Sequence, residues 1–328
     1  MTGAHPRRYL VTGANGFVGR ALCTYLGRRG DAVRALVRQP TDGPWDETVA
    51  CDLGTDPLPG ALMNGIDGVF HLAGVAHMQD IAAVPDATYE RVNVAGTSAL
   101  LDAAAAAGVR RFVYFSSIKA VADPGEQCVD ERWEAPPTDA YGRSKREAEQ
   151  RVRDAGRQHG LHVCNLRPCL VYGPGVKGNL ARMIDAIDRG RFPPLPDFHN
   201  RRSMIGVDDL LDAAWLAMHN EAANGQTFIV ADGVDYSTRA LFLAISEALG
   251  KSVPAWTLPR SLLSAAALTG DLLGAVSGRS PPFSSAVLHR LRGWNCFRAS
   301  HLRETLGWRP RMCFADALPE MIRARRET

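Results

Sequence analysis

A tyrosine and a lysine stand four positions apart in the stretch DAYGRSKREAE, residues 139–149. The surrounding residues favour a helix, on which residues four apart share a face, so Tyr141 and Lys145 are expected to be neighbours. A free phenol has a pKa of about 10, but a nearby ammonium favours the phenolate and lowers that pKa. An ordinary exposed helix face has the same spacing. The chemical interpretation is that Tyr141 gives and takes a proton while Lys145 lowers its pKa.

Two consecutive serines offer a hydroxyl to the same chemistry. The run RRFVYFSSIKAV, residues 110–121, predicts a buried strand over residues 112–115 that ends at Ser116 and Ser117. Ligands of open α/β sheets bind outside the carboxyl ends of the strands. A serine at this strand end is therefore placed to bind a substrate oxygen beside a proton donor.

Three glycines near the start of the chain predict a loop that binds the pyrophosphate of a dinucleotide. In RYLVTGANGFVGRALCTYLGRRG, residues 8–30, a short apolar strand is followed by the glycines and then by an amphipathic helix. Gly13 allows the tight turn, Gly16 lets the backbone approach the pyrophosphate, and Gly19 lets the helix pack against the strand. The helix N-terminus then offers free N–H groups to the phosphates.

The second strand bears on the choice between NAD and NADP. A site for NAD usually has an acid at the end of this strand, which accepts hydrogen bonds from the ribose hydroxyls. In DAVRALVRQP, residues 31–40, Arg38 occupies this place and Arg34 lies earlier on the strand. A guanidinium suits a 2′-phosphate, although surface arginines at strand ends are common. NADP(H) is therefore favoured as the cofactor, with NAD(H) as the alternative.

Apolar runs alternate with helical patterns along more than half of the chain. Further strands are expected within residues 68–74, 161–175 and 226–233, and a helix is expected over residues 92–109. This alternation predicts an α/β fold with a doubly wound parallel sheet of the Rossmann type.

The pattern loosens after residue 175, which predicts a smaller lobe built partly from the C-terminal half. We expect residues 1–175 with 204–235 to form the dinucleotide-binding domain. Residues 176–203 with 236–328 are then expected to form a smaller α/β lobe for the substrate.

Composition excludes several classes of protein. The 328 residues are 46% hydrophobic and 22% charged, and the net charge of +3 is spread along the chain, so disorder and nucleic-acid binding are not expected. The seven cysteines are odd in number and no pair has CxxC spacing, so neither a disulfide framework nor a zinc site is expected, and the cytoplasm is the expected location. No signal peptide or membrane span is expected, because the longest apolar tract, residues 261–276, is short and predicts a packed helix.

The combined motifs resemble the extended branch of the short-chain dehydrogenase/reductase superfamily, of the NAD-dependent epimerase/dehydratase type. The resemblance covers nearly the whole chain through TGANGFVG, HLAG, SS, YGRSK and RPCLVYGPG. It implies that Tyr141 is the general acid and base and that Lys145 also binds the nicotinamide ribose. Asp52 would contact the adenine amine, although it equally fits a turn or cap. The cofactor contacts that the resemblance implies are Gly13, Asn15, Gly16, Phe17, Val18, Gly19, Arg38, Asp52, Leu53, Leu72, Ala73, Gly74, Asn93, Tyr141, Lys145 and Pro168.

The chain departs from the family pattern after the strand-end serines. Many relatives have a third Ser or Thr there that contacts the substrate, whereas this chain has Ile118. The hydroxyl is then expected from Ser117, and less so from Ser116. Related dehydratases follow their Ser or Thr with an Asp-Glu pair that eliminates water. Since Ile118 and Lys119 stand here instead, dehydration is not expected.

The second half resembles the nucleotide-sugar branch of the family. An asparagine in a segment like GNL and an arginine before a stretch like SMIGVDDL contact the diphosphate in that branch, which implies these roles for Asn179 and Arg202. Amide and guanidinium donors suit a pyrophosphate, although Asn179 also fits a helix cap and Arg202 a surface arginine. Arg292 lies where relatives have an arginine that grips the nucleotide. With Ser117, these are the expected substrate contacts.

The stretches FSSIKAV, GVKGN and NRRSMI look most like bacterial enzymes that modify UDP-N-acetylhexosamines for surface polysaccharides. Arg38 favours reduction of a UDP-4-keto-6-deoxy-N-acetylhexosamine over a UDP-sugar 4-epimerase that retains its NAD. Two other hypotheses stay open: a reductase of a small steroid-like or flavonoid-like ketone, and a dinucleotide-binding redox sensor without catalysis. The presence of both Tyr141 and Lys145 disfavours the sensor. Relatives pair two helices across a subunit interface, here residues 97–107 and the helix of Tyr141, so a homodimer is expected.

Overall fold

The computed structural model describes residues 6–75, 84–277, 281 and 283–327. Helices and strands alternate as the sequence predicts. The strands are β1 (Arg8–Thr12), β2 (Ala32–Val37), β3 (Glu47–Ala50), β4 (Gly68–His71), β5 (Arg111–Phe115), β6 (Cys128–Val129), β7 (His162–Pro168), β8 (Leu170–Tyr172), β9 (Arg202–Gly206), β10 (Thr227–Val230), β11 (Asp235–Tyr236) and β12 (Cys296–Phe297). The helices are α1 (Phe17–Arg28), α2 (Asp86–Tyr89), α3 (Gly96–Ala106), α4 (Ala140–His159), α5 (Gly178–Asp188), α6 (Val207–His219), α7 (Thr238–Ala248), α8 (Arg260–Ser277), α9 (Ser285–Arg292), α10 (Ser300–Leu306) and α11 (Phe314–Arg326).

Seven strands form the central sheet in the order β3-β2-β1-β4-β5-β7-β10, and every neighbouring pair is parallel. The strand order reverses between β1 and β4, so the segments that leave these strands part to opposite faces of the sheet. A crevice forms at such a switch point, outside the carboxyl ends of the strands. The prediction of a doubly wound Rossmann sheet is confirmed.

Both faces of the sheet are covered by helices, which is why its strands are continuous apolar runs. On one face α1 and α6 contribute Leu22 and Leu210 to a core that also holds Phe70. On the other face α3 and α4 contribute Leu100 and Val152. The sheet is therefore buried between two apolar layers, and only its strand ends are left for polar chemistry.

A smaller layer forms beside the carboxyl edge of the sheet. Strands β8, β9 and β11 make a three-stranded sheet, and α5, α7 and α11 pack around a core that includes Tyr172, Phe314 and Met204. The hydroxyl groups of Tyr172 and Tyr236 both donate to Asp232, at 3.0 and 2.8 Å. This layer holds the C-terminal segments over the strand ends of the central sheet.

One disulfide is present, although the cysteine pattern predicted no disulfide framework. Cys128 and Cys296 form a disulfide across 168 residues of sequence, and it joins β6 to β12 in a two-stranded sheet. Cysteine spacing predicts only pairs and metal motifs that are close in sequence. A disulfide between residues this far apart could therefore not be predicted from the spacing. The bond ties the segment before α4 to the segment that follows α9.

The apolar tract at residues 261–276 forms α8, but only one narrow side of that helix is packed. The buried positions are Leu263, Ala267 and Gly270, which follow the spacing of a single helix stripe. The expectation of a packed helix is therefore met on one face alone. Within the parts of the chain that the structure describes, every helix is too short or too polar to cross a membrane.

Candidate active site

The three glycines form a tight loop between β1 and α1. Gly13 has φ +66°, and a Cβ atom there would lie 2.8 Å from the backbone nitrogen of Ala73. A Cβ atom on Gly19 would collide with the carbonyl oxygen of Gly13. Gly16 has open space on its outer side, because a Cβ atom there would meet only that same carbonyl, at 3.2 Å. Gly13 and Gly19 therefore have no room for a side chain because the backbone packs closely against them, whereas Gly16 faces open space.

The N-terminus of α1 leaves donors free for an anion. Gly16 caps this helix without any side-chain hydrogen bond, and the first helical bond runs from Arg20 N–H to Gly16 O at 2.9 Å. The N–H groups of Phe17, Val18 and Gly19 precede that bond and lack intrahelical partners. Because they stand at the positive end of the helix dipole, this end suits a pyrophosphate. Asn15, at the tip of the loop, is exposed.

A buried threonine holds the turn after β4 against the glycine loop. The Oγ1 atom of Thr12 accepts hydrogen bonds from the N–H groups of Leu72 and Ala73, at 3.1 and 3.0 Å. With both lone pairs engaged, the hydroxyl donates its own hydrogen to Nδ1 of His71, at 2.6 Å. Leu72 and Ala73 thus have fixed backbone positions beside Gly13, at the predicted cofactor crevice.

The histidine of the HLAG motif is a buried structural link that the sequence analysis did not identify. His71 Nε2 lies 2.9 Å from the hydroxyl of Thr97, which itself donates to the carbonyl of Asn93 at 2.6 Å. The Thr97 oxygen must therefore accept from His71, which fixes the neutral tautomer with hydrogen on Nε2. Burial lowers the pKa of His71 to about 3, with the charge of Lys145 adding to that effect. His71 is therefore neutral throughout the physiological pH range. It holds the neighbouring backbone in position and takes no part in proton transfer.

The side chain of Asn93, a predicted cofactor contact, forms its hydrogen bonds with other residues of the protein. Its amide accepts from Val75 N–H at 2.8 Å, donates to Val75 O at 3.1 Å, and donates to the Ser144 hydroxyl at 3.0 Å. Only 1% of its surface is exposed. A Cβ atom on Gly74 would lie 2.9 Å from the Asn93 amide oxygen. Asn93 therefore shapes the turn that contains Gly74, and it acts on a ligand only through that turn.

The two strand-end serines have different roles. Ser116 is buried and donates to Glu149 at 2.6 Å, and Glu149 also binds Arg167 through two hydrogen bonds. Ser117 caps a short helical turn by accepting from Lys119 N–H at 3.1 Å, which leaves its own hydrogen free to point elsewhere. This distribution favours Ser117 as the reacting hydroxyl, as the sequence analysis preferred.

Tyr141 and Ser117 are brought together by close packing of α4. Asp139 caps this helix by accepting from Gly142 N–H at 2.7 Å. A side chain on Gly142 would strike the carbonyl of Lys119, so only glycine lets the helix approach the turn after β5 this closely. The hydroxyl of Tyr141 consequently forms a hydrogen bond with Ser117.

The direction of the Tyr141 pKa is a correction to the sequence-based expectation. Burial raises the pKa of Tyr141, while the hydrogen bond from Ser117 opposes that rise. Lys145 does not lower the pKa of Tyr141 as expected, because its ammonium contacts other groups. Its Nζ donates to the carbonyl of Phe115 at 3.0 Å and lies 4.7 Å from the ring centroid of Tyr114. Tyr141 is therefore a protonated phenol at neutral pH, a state suited to a general acid.

Lys145 is buried between β5 and the turn at Gly74. Its Nζ would lie 3.4 Å from a Cβ atom on Gly74, so the ammonium faces the crevice that the glycine loop borders. Burial lowers the pKa of Lys145 to about 8, although the carboxylate of Glu149 acts in the opposite direction. Keeping Lys145 charged in this buried position lowers the stability of the protein, as expected of a residue that is retained because it binds a ligand.

Replacing Lys145 with methionine should stabilise the protein at neutral pH while abolishing activity. Since the folded pKa of about 8 lies below the ordinary 10.5, the unfolded chain holds the proton between these values and wild-type stability rises with pH in that window. Lys145→Met should flatten this slope and raise the free energy of unfolding at pH 7 by up to about 3 kcal/mol. Urea unfolding at several pH values measures both effects. Lys119→Met, at an exposed lysine, is the control, and an unchanged slope in Lys145→Met would contradict the assignment.

The remaining predicted cofactor contacts lie around the same crevice. Arg38 directly follows β2, is exposed, and makes no hydrogen bond or ion pair with any residue that the structure describes. Asp52 is half-buried, and the side chain of Leu53 belongs to the core, which leaves only its backbone for a ligand. Pro168 ends β7 and is partly exposed at the carboxyl edge of the sheet.

Arg34, the other arginine of the second strand, has a structural role. It forms an ion pair with Glu47 and donates to the carbonyl groups of Ala61, Leu62 and Asn64. These contacts occupy its guanidinium, so Arg38 is left as the residue of this strand that can meet a 2′-phosphate.

Two of the predicted substrate residues are partly unsatisfied arginines on the C-terminal side. Arg202 donates to the carbonyl of Arg290, and burial lowers its pKa to about 10. Arg292 donates to Ser264 at 3.3 Å and lies 5.2 Å from the ring centroid of Phe198. The Nε atoms of both arginines are buried and find no acceptor among the described residues. Buried unpaired donors are uncommon and are expected where an anion binds.

Asn179 lies in the first turn of α5, and its side chain is exposed. Lys177 occupies the N-cap position of this helix without a side-chain capping bond, and Asn179 lies two residues further on. Arg292 borders a cleft of about 340 Å³ beside α8. The residues that line it are Glu126, Phe198, Arg260, Ser261, Ser264, Arg292 and Trp294.

The chain is similar to several known proteins over most of its length. The model of the NAD dependent epimerase/dehydratase family matches residues 9–231. A UDP-glucose 4-epimerase of Vibrio cholerae is 33% identical over 97% of this chain and 95% of its own length. An N-acetyl-α-D-glucosaminyl-diphospho-ditrans,octacis-undecaprenol 4-epimerase of Escherichia coli O157:H7 is 26% identical over 90% of this chain and 88% of its own. The solved structure of MoeE5 with UDP-glucuronic acid and NAD superposes with a TM-score of 0.76 at 25% identity, covering 98% of this chain and 99% of that one.

Proposed function

The chain belongs to the NAD-dependent epimerase/dehydratase family, and on that premise we propose that it reduces C4 of a 4-keto nucleotide sugar with NADPH. The substrate we infer is a UDP-4-keto-6-deoxy-N-acetylhexosamine used in surface polysaccharide synthesis. The observation that carries the proposal is the half-buried Tyr141, a phenol protonated at neutral pH and hydrogen-bonded to Ser117 at the carboxyl end of the sheet.

The residues present fit a dinucleotide. The free N–H groups at the start of α1, the open side of Gly16 and the fixed turn at Leu72 and Ala73 suit its pyrophosphate and its approach to the sheet. When bound, a reduced nicotinamide supplies the hydride. Lys145, buried at the inner wall of this crevice, is the cation available to the nicotinamide ribose.

Proton transfer follows from the arrangement of the two hydroxyl groups. As hydride adds to C4, the carbonyl oxygen becomes an alkoxide and takes the proton of Tyr141. The hydrogen of Ser117 is free to point at the phenol oxygen, because the Ser117 oxygen already accepts from Lys119 N–H. It therefore stabilises the phenolate left by the transfer, and solvent returns the proton at the end of the turnover.

The arginines of the C-terminal side supply the substrate's anchoring. Arg202 and Arg292 each hold a buried Nε donor that lacks an acceptor among the described residues, and a diphosphate offers acceptors of the right charge. Asn179, exposed in the first turn of α5, adds an amide that can reach a ligand. Binding energy from the nucleotide part would then hold the sugar against Tyr141.

We assign the preference for NADP(H) over NAD(H) to Arg38. Replacing it with aspartate should weaken NADP(H) binding about 10- to 100-fold, since a charge-assisted hydrogen bond contributes about 1.5–3 kcal/mol and the new carboxylate repels the 2′-phosphate. NAD(H) binding should improve, because the aspartate can accept from the ribose hydroxyls. Fluorescence titration with both cofactors measures the change. Arg28→Asp, the same change of charge in the last turn of α1, is the matched control. An unchanged preference in Arg38→Asp would contradict the assignment.

A 4-epimerase is the second candidate, and the similarity to the Vibrio cholerae UDP-glucose 4-epimerase favours it. The Tyr141 oxygen would then have to start as the phenolate, take the O4 proton as C4 is oxidised, and return it when C4 is reduced on its other face. The two reactions differ in their use of cofactor, since a reductase consumes NADPH and an epimerase retains its NAD.

The proposed function is tested by identifying any cofactor released from purified protein and assaying two substrates separately. NADPH oxidation that requires the 4-keto-6-deoxy sugar supports the reductase. Interconversion of two UDP-N-acetylhexosamine 4-epimers with tightly bound NAD supports the epimerase instead. Turnover of neither sugar conjugate would overturn both.

A further inference from the structure

The outer side of α8 is an unusually apolar surface. Among the described residues, the six most exposed large apolar side chains all fall between residues 256 and 276 and are 54–88% exposed. They are Trp256, Leu262, Leu268, Leu272, Leu273 and Val276. The other three exposed large apolar side chains are scattered elsewhere and reach at most 43%. Contiguous exposed apolar surface of this kind marks an interaction site.

The five of these side chains that belong to α8 share one side of the helix. Leu262, Leu273 and Val276 are separated by whole turns, and Leu268 and Leu272 flank them on one edge. The inner side at Leu263, Ala267 and Gly270 packs onto the protein. The only acid of the helix, Asp271, is half-buried and accepts from Ser285 N–H at 3.1 Å, so the outer side presents no negative charge.

The charge next to this surface is positive, because α8 and the neighbouring α9 together hold three arginines and one acid. The segment 251–298 contains six lysine and arginine residues and one acid, a net charge of +5, whereas the whole chain carries +3. Lys251 and Arg298 are paired with Asp188 and Asp235, so the described cations that accompany the apolar helix are Arg260, Arg290 and Arg292. An apolar helix surface with accompanying cations suits an anionic bilayer, in which the leucines enter the acyl boundary and the cations meet the headgroups.

The same charge disfavours a second copy of this chain as the occupant. In a two-fold dimer through α8, each copy would place its net positive α8 and α9 against the same two helices of its partner. Trp256, at the approach to α8, adds to the preference for lipid, since an exposed indole has an apolar body and a polar N–H and is typical of membrane interfaces.

We propose that the outer face of α8, with Trp256, docks this protein on an anionic lipid bilayer as an interfacial helix that does not span it. This inference goes beyond the proposed reaction and does not require it. Docking would place the cleft at Arg260 and Arg292 at the lipid surface, since Arg260, Ser261 and Ser264 of α8 line that cleft.

Co-sedimentation with vesicles tests the proposal. Wild-type protein is expected to bind phosphatidylglycerol-containing vesicles at least about tenfold more tightly than pure phosphatidylcholine vesicles, and to bind them less tightly as salt is raised. The triple variant Leu268→Gln, Leu272→Gln, Leu273→Gln should lose about a hundredfold or more of that binding, because the apolar area that enters the bilayer is removed.

Matched controls separate docking from folding and from catalysis. Leu243→Gln changes an exposed leucine of α7 and should bind vesicles as wild type does. Thermal unfolding of the triple variant should match wild type, since its three leucines face outward. Tyr141→Phe should bind vesicles normally, so failure of the proposed reaction and failure of docking are distinguishable.

Three results would overturn the proposal. The first is wild-type protein that stays in the supernatant with anionic vesicles. The second is a triple variant that binds these vesicles as tightly as Leu243→Gln. The third is light scattering that shows a wild-type dimer turning into a monomer in the triple variant without vesicle binding, which would assign this face to a second copy of the chain.

Discussion

Tyr141→Phe is expected to lower kcat by about 10²–10⁴-fold, the usual contribution of a positioned general acid. In the proposed reaction the phenol is the proton donor, because burial raises its pKa and Ser117 is hydrogen-bonded to it. Removing the hydroxyl leaves the glycine loop and the start of α1 intact, so dinucleotide binding should be retained. Steady-state kinetics with a fluorescence titration of the cofactor measures the two effects separately.

Tyr89→Phe is a matched control for this substitution. Tyr89 is also largely buried, and its ring centroid lies 6.0 Å from that of Tyr141, yet its hydroxyl has no assigned part in the reaction. Its removal should leave kcat nearly unchanged. Equal kcat values for Tyr141→Phe and Tyr89→Phe would show that the hydroxyl of Tyr141 donates no proton to the substrate.

Glu149→Met is expected to lower the free energy of unfolding by about 3–5 kcal/mol, because it leaves the buried guanidinium of Arg167 without its partner. The pair is fully enclosed: Glu149 is 0% exposed and accepts from Arg167 at 2.8 and 2.6 Å. Ser116 would also lose its acceptor. Chemical denaturation measures the loss.

The exposed pair of Glu147 and Arg151 on the same helix is the control for Glu149. These side chains are 2.9 Å apart but about half exposed, so Glu147→Met should cost less than about 1 kcal/mol. The double variant Glu149→Met, Arg167→Met should recover much of the stability that Glu149→Met loses, since no charge is then buried alone. Similar stability for Glu149→Met and Glu147→Met would contradict a structural role for the buried pair.

The central sheet was predictable because its signals are local. A continuous apolar run followed by Gly13, Gly16 and Gly19 specifies strand, loop and helix within about one supersecondary unit. The disulfide between Cys128 and Cys296 is the opposite case, since its two strands are 168 residues apart and meet only through the tertiary fold. No local sequence pattern near either cysteine predicts that the two lie in contact.

The candidate site was predictable in its residue types but not in its electrostatics. Helical spacing brought Tyr141 and Lys145 to one side of α4, yet the pKa of Tyr141 is raised because burial outweighs the lysine, which donates to the carbonyl of Phe115 instead. The choice between the serines depends on Glu149, which binds Ser116 across 33 residues of sequence. The close approach at Gly142 likewise depends on a backbone that only the fold brings near.

Deuterium labelling shows whether the protein reduces C4 of the sugar with a hydride from NADPH. The protein is incubated with the 4-keto nucleotide sugar and NADPH deuterated at C4 of the nicotinamide, and the product is analysed by NMR. The account predicts deuterium at C4 of the sugar in wild-type product, and almost none formed in the same time by Tyr141→Phe. Deuterium at another carbon, or NADPH oxidation that leaves no label in the sugar, would contradict it.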